Sequence, residues 1–170
     1  MYIRTITFFV LIILIPFVVH AKEIKYNHNS ITFSEVKEKV AFSVLSPDKI
    51  PNDWTLEIKT YPSGENEHFS HFRLHYMNSN DTKLMVGIRQ SPRHLLYDEV
   101  RKSLNVEQVD INGIKGYFSS WEDSGKFDDE EEIKGGLLCW IQDGTYIVMD
   151  SAEISKEMML SIARSMKVVE

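Results

Sequence analysis

The sequence predicts an α+β domain: a mostly antiparallel sheet of about six strands, with a short N-terminal helix and a C-terminal helix packed on it. Three observations carry this. Asn112-Gly113 and Asp143-Gly144 each divide apolar, β-prone runs, and such pairs suit type I′ turns, which need positive φ at both central residues. The runs between Trp54 and Gln90 alternate apolar with polar residues, the period of a half-buried strand. Stretches near both ends of the chain instead repeat apolar residues at helical spacing.

With 170 residues, 43% hydrophobic and 26% charged, the chain suffices for one sizeable core. Residues 1–21 read as a secretory signal peptide, either cleaved or retained as an anchor. Arg4 supplies the charged start, Ile6 to Val19 is almost wholly apolar, and Val19-His20-Ala21 suits a peptidase site. The apolar run is shorter than the ~20 residues of a spanning helix. Residues 22–33 read as a flexible lead and 34–170 as a single α+β domain. Setting residues 1–21 aside removes one cation and takes the net charge from −6 to −7. An acidic chain is a poor partner for nucleic acid. The single cysteine, Cys139, leaves no intramolecular disulfide and reads as a small buried hydrophobe.

Each element has its own signal. Ser34 to Phe42 reads as a short helix with Ser34 as N-cap and Phe33, Val36, Val40 and Ala41 at helical spacing. Pro47 and Pro51 then enforce an extended linker. Trp54 to Tyr61 turns Trp54, Leu56 and Ile58 to one side. Phe69 to Met77 sets Phe72, Leu74 and Tyr76 against His71, Arg73 and His75. Lys83 to Gln90 turns Leu84, Val86 and Ile88 inward, until Ser91-Pro92 stops it. Leu96, Val100 and Leu104 suggest a helical turn or two over Leu95–Leu104.

The Asn112-Gly113 turn then pairs Asp110 with Lys115. The Asp143-Gly144 turn pairs Gln142 with Thr145, Trp140 with Ile147 and Leu138 with Met149. Both faces of this last hairpin are apolar, so it needs two covers. One is the C-terminal helix, capped by Ser155 and running to about Lys167, with Met158, Met159, Ile162, Ala163 and Met166 as its buried stripe. The second is the early helix or a bound partner.

Few residues suggest chemistry. His71 and His75 lie four apart on a strand, roughly 13 Å, too far to share one ion. The acidic run Asp128–Glu132 lacks the ligand spacing and central glycine of a calcium loop, which leaves open whether it binds a cation. Trp121-Glu122-Asp123 sets carboxylates beside an aromatic, but nothing marks the second carboxylate a glycosidase needs. Asn80-Asp81-Thr82 fits a glycosylation acceptor and supports a surface loop. No catalytic, cofactor-binding or metal-ligating residue emerges, and the reading is not an enzyme.

Several stretches together carry a resemblance: Phe42 to Trp54, Val109 to Gly116, Leu138 to Ile147, Ile154 to Glu157 and Ile162 to Met166. The chain resembles, from about Ser34 to its end, a small extracytoplasmic domain of unknown function common in spore-forming Gram-positive bacteria. That family occurs alone behind a signal peptide or anchor, or in anti-sigma-factor-like membrane proteins. The run Asp128–Glu132 departs from its pattern.

The resemblance implies a secreted or envelope protein that binds or senses, with no catalytic residue to carry over. The expected partner is an unknown protein or an apolar small molecule in the envelope, with the N-terminal segment contacting the membrane at least transiently. The alternative is a carrier of an apolar ligand such as a lipid, held in a hollow between sheet and helix and lined by Met158, Met159 and Met166.

Overall fold

Two turns set the sheet. Asn112 and Gly113 have φ of 52° and 85°, and Asp143 and Gly144 have 49° and 80°, the left-handed pairs that a type I′ turn demands. They join β5 (Glu107–Ile111) to β6 (Ile114–Ser120), and β7 (Gly136–Gln142) to β8 (Thr145–Ser151). The register is the expected one: Asp110 faces Lys115, Gln142 faces Thr145, Trp140 faces Ile147 and Leu138 faces Met149. These positions belong to a computed structural model that describes residues 24–27, 30–63, 67–92, 106–121 and 134–170. The expected signal segment, the helical turns over Leu95–Leu104 and the acidic run Asp128–Glu132 lie outside the described residues.

The remaining elements are α1 (Phe33–Lys39), β1 (Leu45–Pro47), β2 (Thr55–Tyr61), β3 (His71–Met77), β4 (Leu84–Pro92), α2 (Lys156–Arg164) and β9 (Met166–Val168). Seven strands form one antiparallel sheet in the order β2-β3-β4-β8-β7-β6-β5. β1 and β9 pair separately, also antiparallel.

Five expectations are corrected. The described residues hold nine strands rather than about six. The early helix starts at Phe33, not Ser34, because Thr32 and Glu35 close a capping box in which Thr32 N–H donates to the Glu35 carboxylate at 2.6 Å. That helix ends at Lys39, where Val40 turns extended. Phe42 is thereby freed to stack on Phe72, centroids 6.0 Å apart. The C-terminal helix keeps its Ser155 cap but stops at Arg164. Met166 and Lys167 continue as strand, opposite Pro47 and Ser46. β4 does not stop before Ser91 but runs through Pro92, with Ser91 paired with Tyr146 and Pro92 with Thr145, since a proline at the last ladder position removes little.

The core lies on one face of the sheet. Leu56, Phe72, Leu74, Ile88, Ile147, Met149, Leu138, Trp140 and Ile111 pack there against Met159 and Ile162 of α2 and against Phe33 and Val36 of α1. The early helix therefore joins the same core and does not cover the opposite face of the hairpin. That face holds a smaller cluster of Cys139, Tyr146 and Val148, flanked by Tyr117, Leu137 and Ile141.

One buried polar side chain ties the small sheet to the large one. Gln90 is 0% exposed. Its amide accepts from Leu45 N–H at 2.8 Å and donates to Leu45 C=O at 2.7 Å, standing in for a backbone ladder pair. Within the expected lead, Leu56 N–H donates to Lys25 C=O and Asn27 N–H to Leu56 C=O, both at 2.8 Å. This short segment runs parallel to β2.

Candidate functional site

Two regions gather polar groups. The first is a cavity of about 250 Å³ at the β2 edge. The β1–β2 linker runs over it, and the extended path expected from Pro47 and Pro51 is broken by a turn at Asn52-Asp53, closed by Trp54 N–H donating to Pro51 C=O at 3.3 Å. Trp54, Leu56 and Tyr76 form its apolar walls, and Lys25, Asp48 and Asn52 its polar rim. Trp54 is 9% exposed and Tyr76 is buried. Burial raises the Tyr76 hydroxyl well above its ordinary pKa, offset in part by a hydrogen bond with the Ser46 side chain. At neutral pH that hydroxyl is therefore a fixed, uncharged dipole. The rim carboxylate of Asp48 is already in an ion pair with Lys167.

The second region is the sheet face opposite the core. Alternation along β2, β3, β4 and β8 puts Glu57, Lys59 and Tyr61, then His71, Arg73 and His75, then Gly87, Arg89 and Ser91, then Tyr146, Val148 and Asp150 on this face. The register sets them in rows. Glu57, His75, Gly87 and Asp150 lie abreast, as do Lys59, Arg73, Arg89 and Val148. Arg73 crosses over Gly87 and meets Asp150 through one nitrogen, at 2.9 and 2.6 Å. A Cβ on Gly87 would stand 2.3 Å from the Arg73 guanidinium, so only glycine leaves this path open.

The electrostatics follow from burial and neighbours. Burial raises the Asp150 carboxyl, while Arg73 and Arg89 pull it back. Burial, then Arg73, lowers the His75 imidazole, with Glu57 opposing. Burial, then Arg89, lowers that of His71. His71 stacks on Tyr61, ring centroids 4.6 Å apart and 3° from parallel, and its Nδ1 lies 2.9 Å from the Ser70 hydroxyl. Arg73 Nε and His75 Nε2 are buried without a hydrogen-bond partner.

The residues weighed for chemistry do not converge. Among the described residues, no three His, Cys, Asp or Glu side chains group as metal ligands. Cys139 is fully buried, and burial pushes its thiol up to about 11, a poor nucleophile at neutral pH. Met159 and Met166 fill the core and Met158 packs at its margin. Asn80 and Thr82 lie in an exposed turn. The cation row and the edge cavity are the groupings that sequence reasoning missed.

The fold and these regions define a class: an α+β protein with one apolar sheet face and an opposite face that is polar over β2 to β4 and apolar around β7. No described helix is long and apolar enough to cross a membrane. The model of a family described as a domain of unknown function, DUF4367, matches residues 44–166. The chain belongs to that family. No curated protein and no solved structure matches it.

Proposed function

We propose that the chain is a non-enzymatic binding or sensing domain of the cell envelope, either secreted or anchored. The edge cavity carries this reading. It pairs rigid aromatic walls with a polar rim, the makeup of a recognition pocket. Among the described residues one carboxylate lines it, Asp48, in a solvent-exposed ion pair with Lys167. The location leans on the leader pattern, and the sensing role on the resemblance to domains outside the membrane in anti-sigma-factor-like proteins.

Volume sets the ligand size. Ordinary ligand pockets run from roughly 300 to 1,000 Å³, so a hollow of about 250 Å³ takes a compact solute or one side chain of a partner. A carrier of an apolar ligand is the second reading. Trp140, Met149, Met159 and Ile162 fill the space between sheet and α2, so that reading now rests on the same cavity.

The test is photo-crosslinking of the full chain in host cells. A crosslinker at Asn52, on the rim, should give a discrete adduct that Trp54→Ala abolishes. One at Lys37 on α1 should not, and a membrane-impermeant label should reach the chain. Equal adducts from both positions, or protection from the label, would overturn the reading.

A further inference from the structure

The charge on the outer sheet face does not close. Glu57 is paired with Lys59 and Asp150 with Arg73. Three cations stand abreast in the row Lys59, Arg73, Arg89, and like charges directly opposite destabilise a sheet. Among the described residues, both carboxylates of these strands on this face are taken, and Arg89 has no ion pair. Arg89 is half-buried and lies between Arg73 on one side and the apolar Val148 on the other. Asp150 lies within reach of its charge but is held by Arg73, and a guanidinium drawn partly out of water without an ion pair of its own is costly.

The two rows flanking Arg89 differ. On one side stands the Gly87–Asp150 row, with its carboxylate. On the other, Ser91 pairs with Tyr146, and His71, one step beyond the Phe72–Gln90 pair, lies level with Ser91. This second row holds hydroxyls and an imidazole and no carboxylate. A guanidinium supplies a fork of donors, and the imidazole and hydroxyl offer further donors one row away.

We propose that Arg89, His71 and Ser91 form a binding site for a tetrahedral oxyanion, a phosphate group, on the outer face of β3 and β4. The Arg73–Asp150 pair, held over Gly87, takes the Asp150 oxygens and leaves the Arg89 fork without a direct hydrogen-bonded carboxylate among the described residues. A carboxylate would engage the fork alone. A phosphate has acceptor oxygens left for the second row. The site is separate from the edge cavity, and either can fail without the other.

The test is titration of the purified full chain with orthophosphate at constant ionic strength, read by calorimetry and by the imidazole nitrogen resonances. Saturable binding that moves His71 and not the exposed His68 is expected. Arg89→Gln should weaken it at least about tenfold, as loss of a charge-assisted fork contact implies, while Lys37→Gln, the same charge change on α1, leaves it intact. Polyphosphate at equal phosphate concentration separates the sources. Tighter binding per phosphate that also depends on Lys59 marks a phosphate polymer, whereas equal binding marks a free phosphate group.

Unsaturable shifts in which His71 and His68 move together would overturn the proposal. So would equal effects of Arg89→Gln and Lys37→Gln. Should Arg89→Gln misfold, the His71 response of the unsubstituted chain decides.

Discussion

The two faces of β3, β4 and β8 are written by alternate residues of the same strands, yet they are held by different forces. On one face Phe72, Leu74, Ile88, Ile147 and Met149 are fully or nearly fully buried. Their contribution comes from apolar area and close packing. On the other face a single guanidinium spans three strands to reach Asp150. The difference teaches where damage registers. A hole in the inner face costs in proportion to its volume, whereas a change among the charged residues of the outer face costs according to which charge it strands; Tyr146 and Val148, buried on that same face, follow the packing rule.

The comparison is broken first, and most severely, at Trp140, which is fully buried in the core. Trp140→Ala should lower unfolding free energy by about 3–5 kcal/mol, read from chemical denaturation. A loss below about 1 kcal/mol would mean that the inner face is not close-packed there. Next comes Gln90→Ala, which leaves Leu45 N–H and C=O buried without partners. About 2–4 kcal/mol should be lost, with exchange protection of the Leu45 amide falling more than that of the Ile147 amide in β8.

On the outer face the effects are smaller. Arg73→Met strands an Asp150 side chain that is 21% exposed, and solvent screening holds the expected loss to about 1–2 kcal/mol. Gly87→Ala should reproduce part of it by displacing the guanidinium, and a double-mutant cycle between the two should be strongly non-additive.

The smallest effect is the pH dependence of His75. Its folded-state pKa lies below the ordinary value near 6.5. The unfolded chain therefore binds the proton first, and His75 costs stability as pH falls from about 6.5 toward the folded pKa. His75→Asn should flatten thermal stability across that window. An unchanged slope would assign the dependence to another group.

Much of the fold was legible because turn chemistry acts locally. Asn112-Gly113 and Asp143-Gly144 fixed two hairpins and their register, and Ser155 fixed the start of α2. What failed depended on tertiary context. Met166 follows Ile162 at helical spacing and is buried, so periodicity could not show that it pairs with Pro47 instead of continuing the helix. β1 and β9 are three residues each, too short for a pattern. Thr32-Phe-Ser-Glu35 carries a capping-box signal, and it outranks Ser34 because both of its reciprocal hydrogen bonds form.

The outer face was half legible. Alternation placed His71, Arg73 and His75 together, but the row Lys59, Arg73, Arg89 emerges only from register across connections longer than a two-residue turn. The edge cavity needs three segments far apart in sequence, and no local pattern announces it.

The short segment beside β2 bears on how the sheet edge is kept from other chains. β2 is the outermost strand of the seven-stranded sheet, and bare strand edges recruit other chains. Here the chain blocks its own edge: Lys25 and Asn27 engage Leu56 through the backbone, and Ile58 N–H donates to the Ser30 hydroxyl at 2.8 Å. A form trimmed to begin at α1 would bare Leu56 and Ile58 to a second molecule. The residues just after the expected cleavage site thus guard against edge-to-edge aggregation.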